Sequence, residues 1–224
     1  MQKTYSVLKY FFELLRKTIA VFFLIVSLPF IAILALTVFI ELKEFPFFIQ
    51  KRGMTTGFSF KMVKIKTVKT QKTIRRINSK NVFLKDELKE NVPLICSILR
   101  RTGLDELPQL INIIKGEMNF IGPRPLPWDD VMFMKENEPE LHERRKAVKL
   151  KPGITGLWQL FGEKEKGIEN LVELEEFYDK NKSFKLNFII LLNTLPKVLF
   201  AKHQDSILGK KQLKYILAES ILEK

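Results

Sequence analysis

The chain has 224 residues, enough for one modest domain and a membrane element but too few for two full domains. Its 38 Lys and Arg against 25 Asp and Glu give a formal charge of +13, a field that attracts nucleic acid, anionic headgroups or phosphorylated substrates alike. Cys96 is the sole cysteine, which excludes an intrachain disulfide, and with only His142 and His203 beside it a zinc site of ordinary spacing is excluded too. Any resident metal is therefore held by oxygens, as magnesium and manganese are.

The first predicted element runs from Thr18 to Ile40 without a charge. As a helix it covers about 30–35 Å, the depth of a bilayer's hydrocarbon core. It is too long for a signal peptide, and no small-residue cleavage pattern precedes Glu41. Two topologies stand at this point. Pro29 sits at its middle, with Ser27 two residues earlier to bond a carbonyl freed there, and Lys or Arg residues flank both ends. A helix that enters, kinks at Ser27–Pro29 and returns satisfies both features, and a kinked spanning helix satisfies the first. Next, the segment from Phe45 to Lys69 reads as two short strands around a turn at Gly53 to Gly57. Lys69 to Glu90 is polar and reads as a loop leading into a solvated helix, and residues 94–101 as a helix ending in Arg100 and Arg101. After the stretch Thr102–Pro127, a charged helix is expected from about Trp128 to Lys149, then a turn-rich loop from Lys151 to Gly162 around Trp158, then a helix from Glu169 to Lys180. Phe184 to Phe200 is too short and polar to span, and reads either as an interfacial helix or as a buried one. The sum of these elements is a fold class mainly α with a small β-hairpin, with both topologies of the N-terminal helix still open.

The stretch Thr102–Pro127, TGLDELPQLINIIKGEMNFIGPRPLP, carries the chemistry. Leu107, Leu110, Ile111 and Ile114 make an apolar stripe at helical spacing, with Asp105, Gln109 and Asn112 opposite and Glu106 at the margin. Pro108 is tolerated only in a first turn and Gly116 supplies a stop, so the helix starts near Asp105. The helix dipole there favours carboxylate over acid and also favours bound phosphate. Adjacent carboxylates suit a magnesium ion bridging to diphosphate oxygens, and Arg100, Arg101 and Arg124 can clamp phosphate bidentately. The bland readings stand beside these: Asp105 as a helix cap, Glu106 as solvated, Gly122–Pro125 as a rigid turn, Lys64 and Lys66 as a solvated strand face and Trp158 as core.

The segments PFFIQKRG, GFSFKMVKIKT, LRRTGLDELPQLINIIKGEMNFIGPRPL, RRKAVKLKPGITGLWQLFG and FYDKNKSFKLNFIILLNTL together resemble the bacterial sugar transferases. These are monotopic polyprenyl-phosphate phosphoglycosyl transferases, and the chain is similar to their minimal single-domain form from Lys17 to about Phe200. The Ser27–Pro29 break matches the kink of the family's re-entrant helix. The resemblance therefore implies a monotopic membrane protein with an N-terminal re-entrant helix and interfacial helices, in which residues 1–44 form the membrane insert, 45–200 a cytoplasmic catalytic domain and 201–224 a helical tail. The resemblance implies that Asp105 is a nucleophile and Glu106 its partner, with Mg²⁺ as cofactor held by the same two carboxylates. It implies that Lys64, of KIKT, and Arg124, of GPRP, meet the donor's phosphates. The implied reaction moves a phosphosugar from a UDP-sugar to polyprenyl (undecaprenyl) phosphate through a covalent aspartyl intermediate. Such a step begins exopolysaccharide, lipopolysaccharide or other glycoconjugate synthesis at the cytoplasmic face of a bacterial inner membrane. Membrane lipids are the implied surroundings, nucleic acid is not a partner, and a homodimer is compatible with this reading.

The sequence departs from the family pattern at Glu163, Lys66 and Asn187, where arginine, arginine and aspartate are usual, and near Lys146, where a histidine is common. With Asp105, Glu106 and the GPRP run intact, these departures point to altered sugar or nucleotide preference. The rival classes are a non-catalytic basic membrane adaptor or scaffold, which would not need its carboxylates, and a nucleic-acid binder, for which no helix-turn-helix or zinc pattern is present. A nucleotide-fold glycosyltransferase would need an Asp-x-Asp site, which Asp129–Asp130 does not supply.

Overall fold

The computed structural model describes residues 2–55, 57–70, 92–163 and 166–199. The expected C-terminal tail at 201–224 and most of the loop and helix expected over Lys69–Glu90 lie outside the described residues. Helix α1 spans Gln2–Leu42 and includes Pro29 without an interruption. Its apolar part, Tyr10–Leu42, is the one helix among the described residues long and apolar enough to cross a membrane, and it is wider than the uncharged core at Thr18–Ile40. Ser27 donates to the Leu24 carbonyl at 3.2 Å, one residue before the Ile25 carbonyl that Pro29 leaves unpaired.

Strands β1 (Phe47–Thr55) and β2 (Phe58–Ile65) form the expected antiparallel hairpin. Gly53 belongs to β1 rather than to the turn. It pairs with Leu126 of β4 (Leu126–Pro127) on the other side, and a Cβ there would press on the Phe58 carbonyl at 2.5 Å. Helix α2 (Leu94–Thr102) ends at Gly103, whose φ of 73° is the left-handed closure glycine supplies.

The turn that follows is not the α-helix expected to start near Asp105. Leu104–Gln109 is a 3₁₀ turn containing Pro108, and only Leu110–Ile114 is α-helical (α3). The apolar stripe does pack, with Leu110 buried and Leu107, Ile111 and Ile114 half-buried, but Asp105, Gln109 and Asn112 on the opposite, polar face are buried as well. The reason is what lies on each side: α3 is held between α1 and β2. On the β2 side, Asn112 donates to the Lys61 carbonyl at 2.8 Å and accepts from the Val63 N–H at 3.3 Å, so its amide completes the strand's backbone pairing. Periodicity registers side-chain polarity and cannot see that a strand backbone is the polar partner.

The charged segment expected as one helix is two, α4 (Trp128–Asn137) and α5 (Pro139–Ala147), because Pro139 opens a new helix at its first position. The turn-rich loop is likewise structured. Gly153–Thr155 (β5) pairs in parallel with Asn119–Ile121 (β3), and Leu157–Phe161 forms the short helix α6. Gly122 and Gly153 meet backbone to backbone, so a Cβ on either would penetrate the other segment. The bonds from Gly122 N–H to the Thr155 carbonyl and from Gly153 N–H to the Pro123 carbonyl, both 2.9 Å, lock this crossing. Helices α7 (Gly167–Asn181) and α8 (Phe184–Leu199) complete the domain. Both readings of α8 describe part of it: Leu186 and Ile190 are in the core with Trp158, whereas Phe184, Phe188, Leu191, Leu192 and Leu195 expose a second apolar face.

Replacing Asn112 by alanine leaves a part-buried strand carbonyl and N–H without this partner, a cost of about 1–3 kcal/mol. The expected outcome is a fall of about 5 °C or more in the unfolding midpoint of the detergent-solubilised protein. An unchanged midpoint would show that the α3–β2 contact does not depend on this amide.

Candidate active site

Where the 3₁₀ turn docks on the end of β2, a cavity of about 410 Å³ opens. Asp105, Glu106, Lys64, Arg100 and Arg124 all line it, although they come from four separate segments. Arg101 does not. Neighbouring residues on a helix point about 100° apart, so when Arg100 of α2 faces the cavity its neighbour faces solvent. Sequence reading left Arg52 of β1 and the segment Thr67–Thr70 out of the site and named Lys66 only as a strand-face residue and a departure from the family pattern, and all of these line the cavity. The signal for Arg52 was the alternation of the hairpin, which puts it on the same face of the sheet as Lys64.

Asp105 is 8% exposed. Burial first, and then the negative charge of Glu106, pushes its carboxyl up to about 6, while Lys64 and Arg100 pull the other way. The helix-dipole expectation of a favoured carboxylate is therefore overturned by desolvation, although the group stays on the ionised side of neutrality. Glu106 is paired with the ammonium of Lys64, each side chain 19% exposed. That contact holds Glu106 beside Asp105, and an ammonium with three donors still has capacity for a phosphate oxygen. Lys66 is tied to Glu44 at 3.0 Å and reaches Thr70 at 3.2 Å.

The GPRP turn is fixed from several sides. Arg52 donates to the Pro125 carbonyl at 2.9 Å, and Arg145 of α5 donates to the Arg124 carbonyl at 2.5 Å. The Arg124 N–H is bonded to Glu175 of α7 at 3.2 Å. Neither Arg145 nor Glu175 was singled out in the sequence. The available signal is that Glu175 falls on the buried stripe Ile168, Leu171, Val172 and Tyr178 of α7, where an apolar residue is the norm.

No group of three or more His, Cys, Asp or Glu positioned for a metal occurs among the described residues. Asp105 and Glu106 nonetheless fit an ion of the magnesium type, which takes one or two carboxylates and completes its shell with phosphate oxygens and water. Their mutual repulsion in a buried setting is what such a cation relieves. Of the departures from the family pattern, Lys66 reaches the cavity. Glu163 instead pairs with Lys166, Asn187 accepts from Tyr178 at 2.7 Å, and Lys146 pairs with Glu143 on the surface.

Comparison with known proteins identifies the family. The family model described as bacterial sugar transferase matches residues 4–201. An uncharacterized sugar transferase, EpsL, of Bacillus subtilis is 32% identical over 95% of this chain and 95% of its own length. The undecaprenyl-phosphate galactose phosphotransferase of Salmonella typhimurium is 36% identical over 51% of this chain and 24% of its own length. The UDP-glucose:undecaprenyl-phosphate glucose-1-phosphate transferase of Caulobacter vibrioides is 28% identical over 76% of this chain and 63% of its own length. The match thus spans nearly all of the Bacillus protein and smaller shares of the other two. A cavity that unites two carboxylates with the guanidinium groups of Arg52, Arg100 and Arg124, on a chain matched almost end to end, places this protein in the bacterial sugar transferase family.

Proposed function

We propose that this enzyme moves a sugar-1-phosphate from a UDP-sugar to polyprenyl phosphate through a phosphosugar bound covalently to Asp105. The observation that carries the reading is the burial of Asp105 within an arginine- and lysine-lined cavity, next to a second carboxylate already neutralised by Lys64. An Asp105 oxygen attacks the β-phosphorus, the bond from that phosphorus to the bridging oxygen breaks, and UMP leaves. An oxygen of polyprenyl phosphate then attacks the same phosphorus, and the Asp105 carboxylate is released. Arg52, Arg100 and Arg124 bind and orient the phosphates, and Glu106 with Lys64 keeps the charge beside Asp105 balanced. Bound magnesium would neutralise the diphosphate, held by Asp105 and Glu106. The names of the Salmonella and Caulobacter relatives, an undecaprenyl-phosphate phosphotransferase and a UDP-glucose-using transferase, support this donor and acceptor. The same reading places the product at the start of extracellular polysaccharide assembly, as the exopolysaccharide production protein ExoY of Rhizobium meliloti suggests by name.

The membrane topology belongs to the same proposal: α1 enters and leaves on the cytoplasmic face of the inner membrane. Both arms of α1 about Pro29 lie against the catalytic domain. On one side Glu13 meets Lys151 at 3.3 Å and Ala20 and Leu24 pack with Phe60, Leu110 and Met118. On the other side Leu34, Val38 and Leu42 pack with Ile65, Cys96 and Leu99. Between these arms, Val21, Phe22, Phe23, Ile25, Val26, Leu28 and Phe30 are exposed. A helix spanning the bilayer upright would carry the catalytic domain packed along Ala20–Leu42 to hydrocarbon depth with its charges, whereas one that dips only its middle leaves that domain in water. A basic adaptor without catalysis has no use for a buried Asp105.

Asp105→Asn is expected to cut UMP release from a UDP-sugar on the order of 10³-fold or more while membrane association persists. Near wild-type release by the purified variant would remove Asp105 from the role of nucleophile. Excess EDTA is expected to abolish turnover, and added Mg²⁺ to restore it; full activity in EDTA would assign Glu106 a role other than metal binding. In a Cys96→Ser background, Lys3→Cys and Lys61→Cys should both be shielded from an impermeant thiol reagent in intact cells and both react once the membrane is opened. Labelling of Lys3→Cys alone in intact cells would show a spanning helix.

A further inference from the structure

The turn that presents Arg124 has an unusual dependence on its surroundings. Arg124 stands between Pro123 and Pro125, neither of which has an N–H, so its own N–H is the one backbone donor of the Pro-Arg-Pro triplet. That donor is taken by Glu175, and the Arg124 carbonyl is taken by Arg145. Glu175 and Arg145 are bound to each other by two bonds, 2.8 and 3.1 Å, with side chains 2% and 0% exposed. Arg145 also donates to the Met54 carbonyl of β1 at 2.7 Å, on the strand that supplies Arg52 to the cavity.

Two charges removed from water are a costly way to join two helices, since apolar residues of similar volume commonly serve as well or better. The same helices are joined at the surface by a second ion pair, Arg144 with Glu176 at 3.0 and 2.9 Å, which touches nothing in the turn. The buried pair differs from this one in what it holds: both backbone polar groups of a residue whose side chain lines the active cavity.

We propose that Arg145 and Glu175 are positioning residues, a buried ion pair that fixes the backbone of Arg124 and thereby aims its guanidinium at the diphosphate of the nucleotide donor. The proposal rests on the phosphoglycosyl-transfer reading for the identity of that donor. Neither residue lines the cavity, and both act through Arg124. The pair does in the folded protein what the two prolines cannot do alone. They stiffen the turn, and it orients the stiffened unit against β1.

The test is a double-mutant cycle on the full-length protein in detergent, read in UDP affinity without turnover and in kcat/KM for UMP release. Glu175→Gln keeps the shape and removes the charge. It is expected to weaken UDP binding and raise the donor KM by about 10- to 100-fold, with a smaller fall in kcat. In an Arg124→Ala background the same change should add less than about two-fold to either reading, because the group it positions is gone. Glu176→Gln, the surface control, should leave both readings within about two-fold of wild type. If Glu175→Gln does not fold, Arg145→Lys takes its place in the cycle, keeping the charge while losing the fork. Full additivity with Arg124→Ala, or an unchanged KM in a folded variant, would overturn the proposal. Coupling seen in UDP affinity by a protein that releases no UMP would support the positioning pair and overturn the transfer reading alone. A wild-type protein that binds no UDP would overturn both.

Discussion

Asp105 can be buried and still remain an acid of the active cavity only because the short segment that carries it is held on two sides. Toward the sheet, Asn112 replaces a missing strand partner for β2, and Lys64 of that strand pairs with Glu106. Toward the membrane helix, Leu110 and Ile113 pack with Ala20 and Leu24. Gly103 ends α2 in the left-handed region and lets the chain turn straight into this slot. Held on both sides, the 3₁₀ turn keeps Asp105 where desolvation pushes its pKa up and where Lys64 and Arg100 pull it back down. The balance is between a burial penalty and nearby cations, and the cavity's arginines tip it further when phosphate is absent.

This arrangement makes the membrane insert part of the site's support. One arm of α1 backs the dyad turn, and the other backs Ile65 at the end of β2, near the cavity. The exposed apolar faces of α8 and of the middle of α1 are apolar surface that water would disfavour, and a lipid surface is the setting that accommodates them. The net charge of +13 gives the protein a field that attracts anionic headgroups and phosphates alike.

Much of the site was legible in the sequence, because its chemistry lies in one run from Asp105 to Arg124 and in the strand bearing Lys64. What was not legible depended on partners distant in the chain. The polarity of Asn112 placed it only opposite the apolar stripe, and its partner is a strand backbone about fifty residues earlier. Strands β3 and β5, three residues each, are too short to give a pattern, and the glycine crossing that joins them shows only in three dimensions. Arg145 and Glu175 lay in segments read as helices rich in charge, where nothing set them apart except that Glu175 interrupts an otherwise apolar stripe. The adjacent pair Arg100–Arg101 illustrates the opposite error: two cations in sequence became one cation in the cavity and one in water.

The covalent step is the centre of this account, and it is tested most directly without any acceptor lipid. The purified enzyme is mixed with a UDP-sugar and Mg²⁺, quenched, digested and examined by mass spectrometry. The account predicts a burst of UMP close to one equivalent per active enzyme and a phosphosugar on the peptide that contains Asp105, discharged when polyprenyl phosphate is added. UMP release that waits for the acceptor, with no modified Asp105 peptide, would contradict it and assign the reaction to direct transfer between the two substrates.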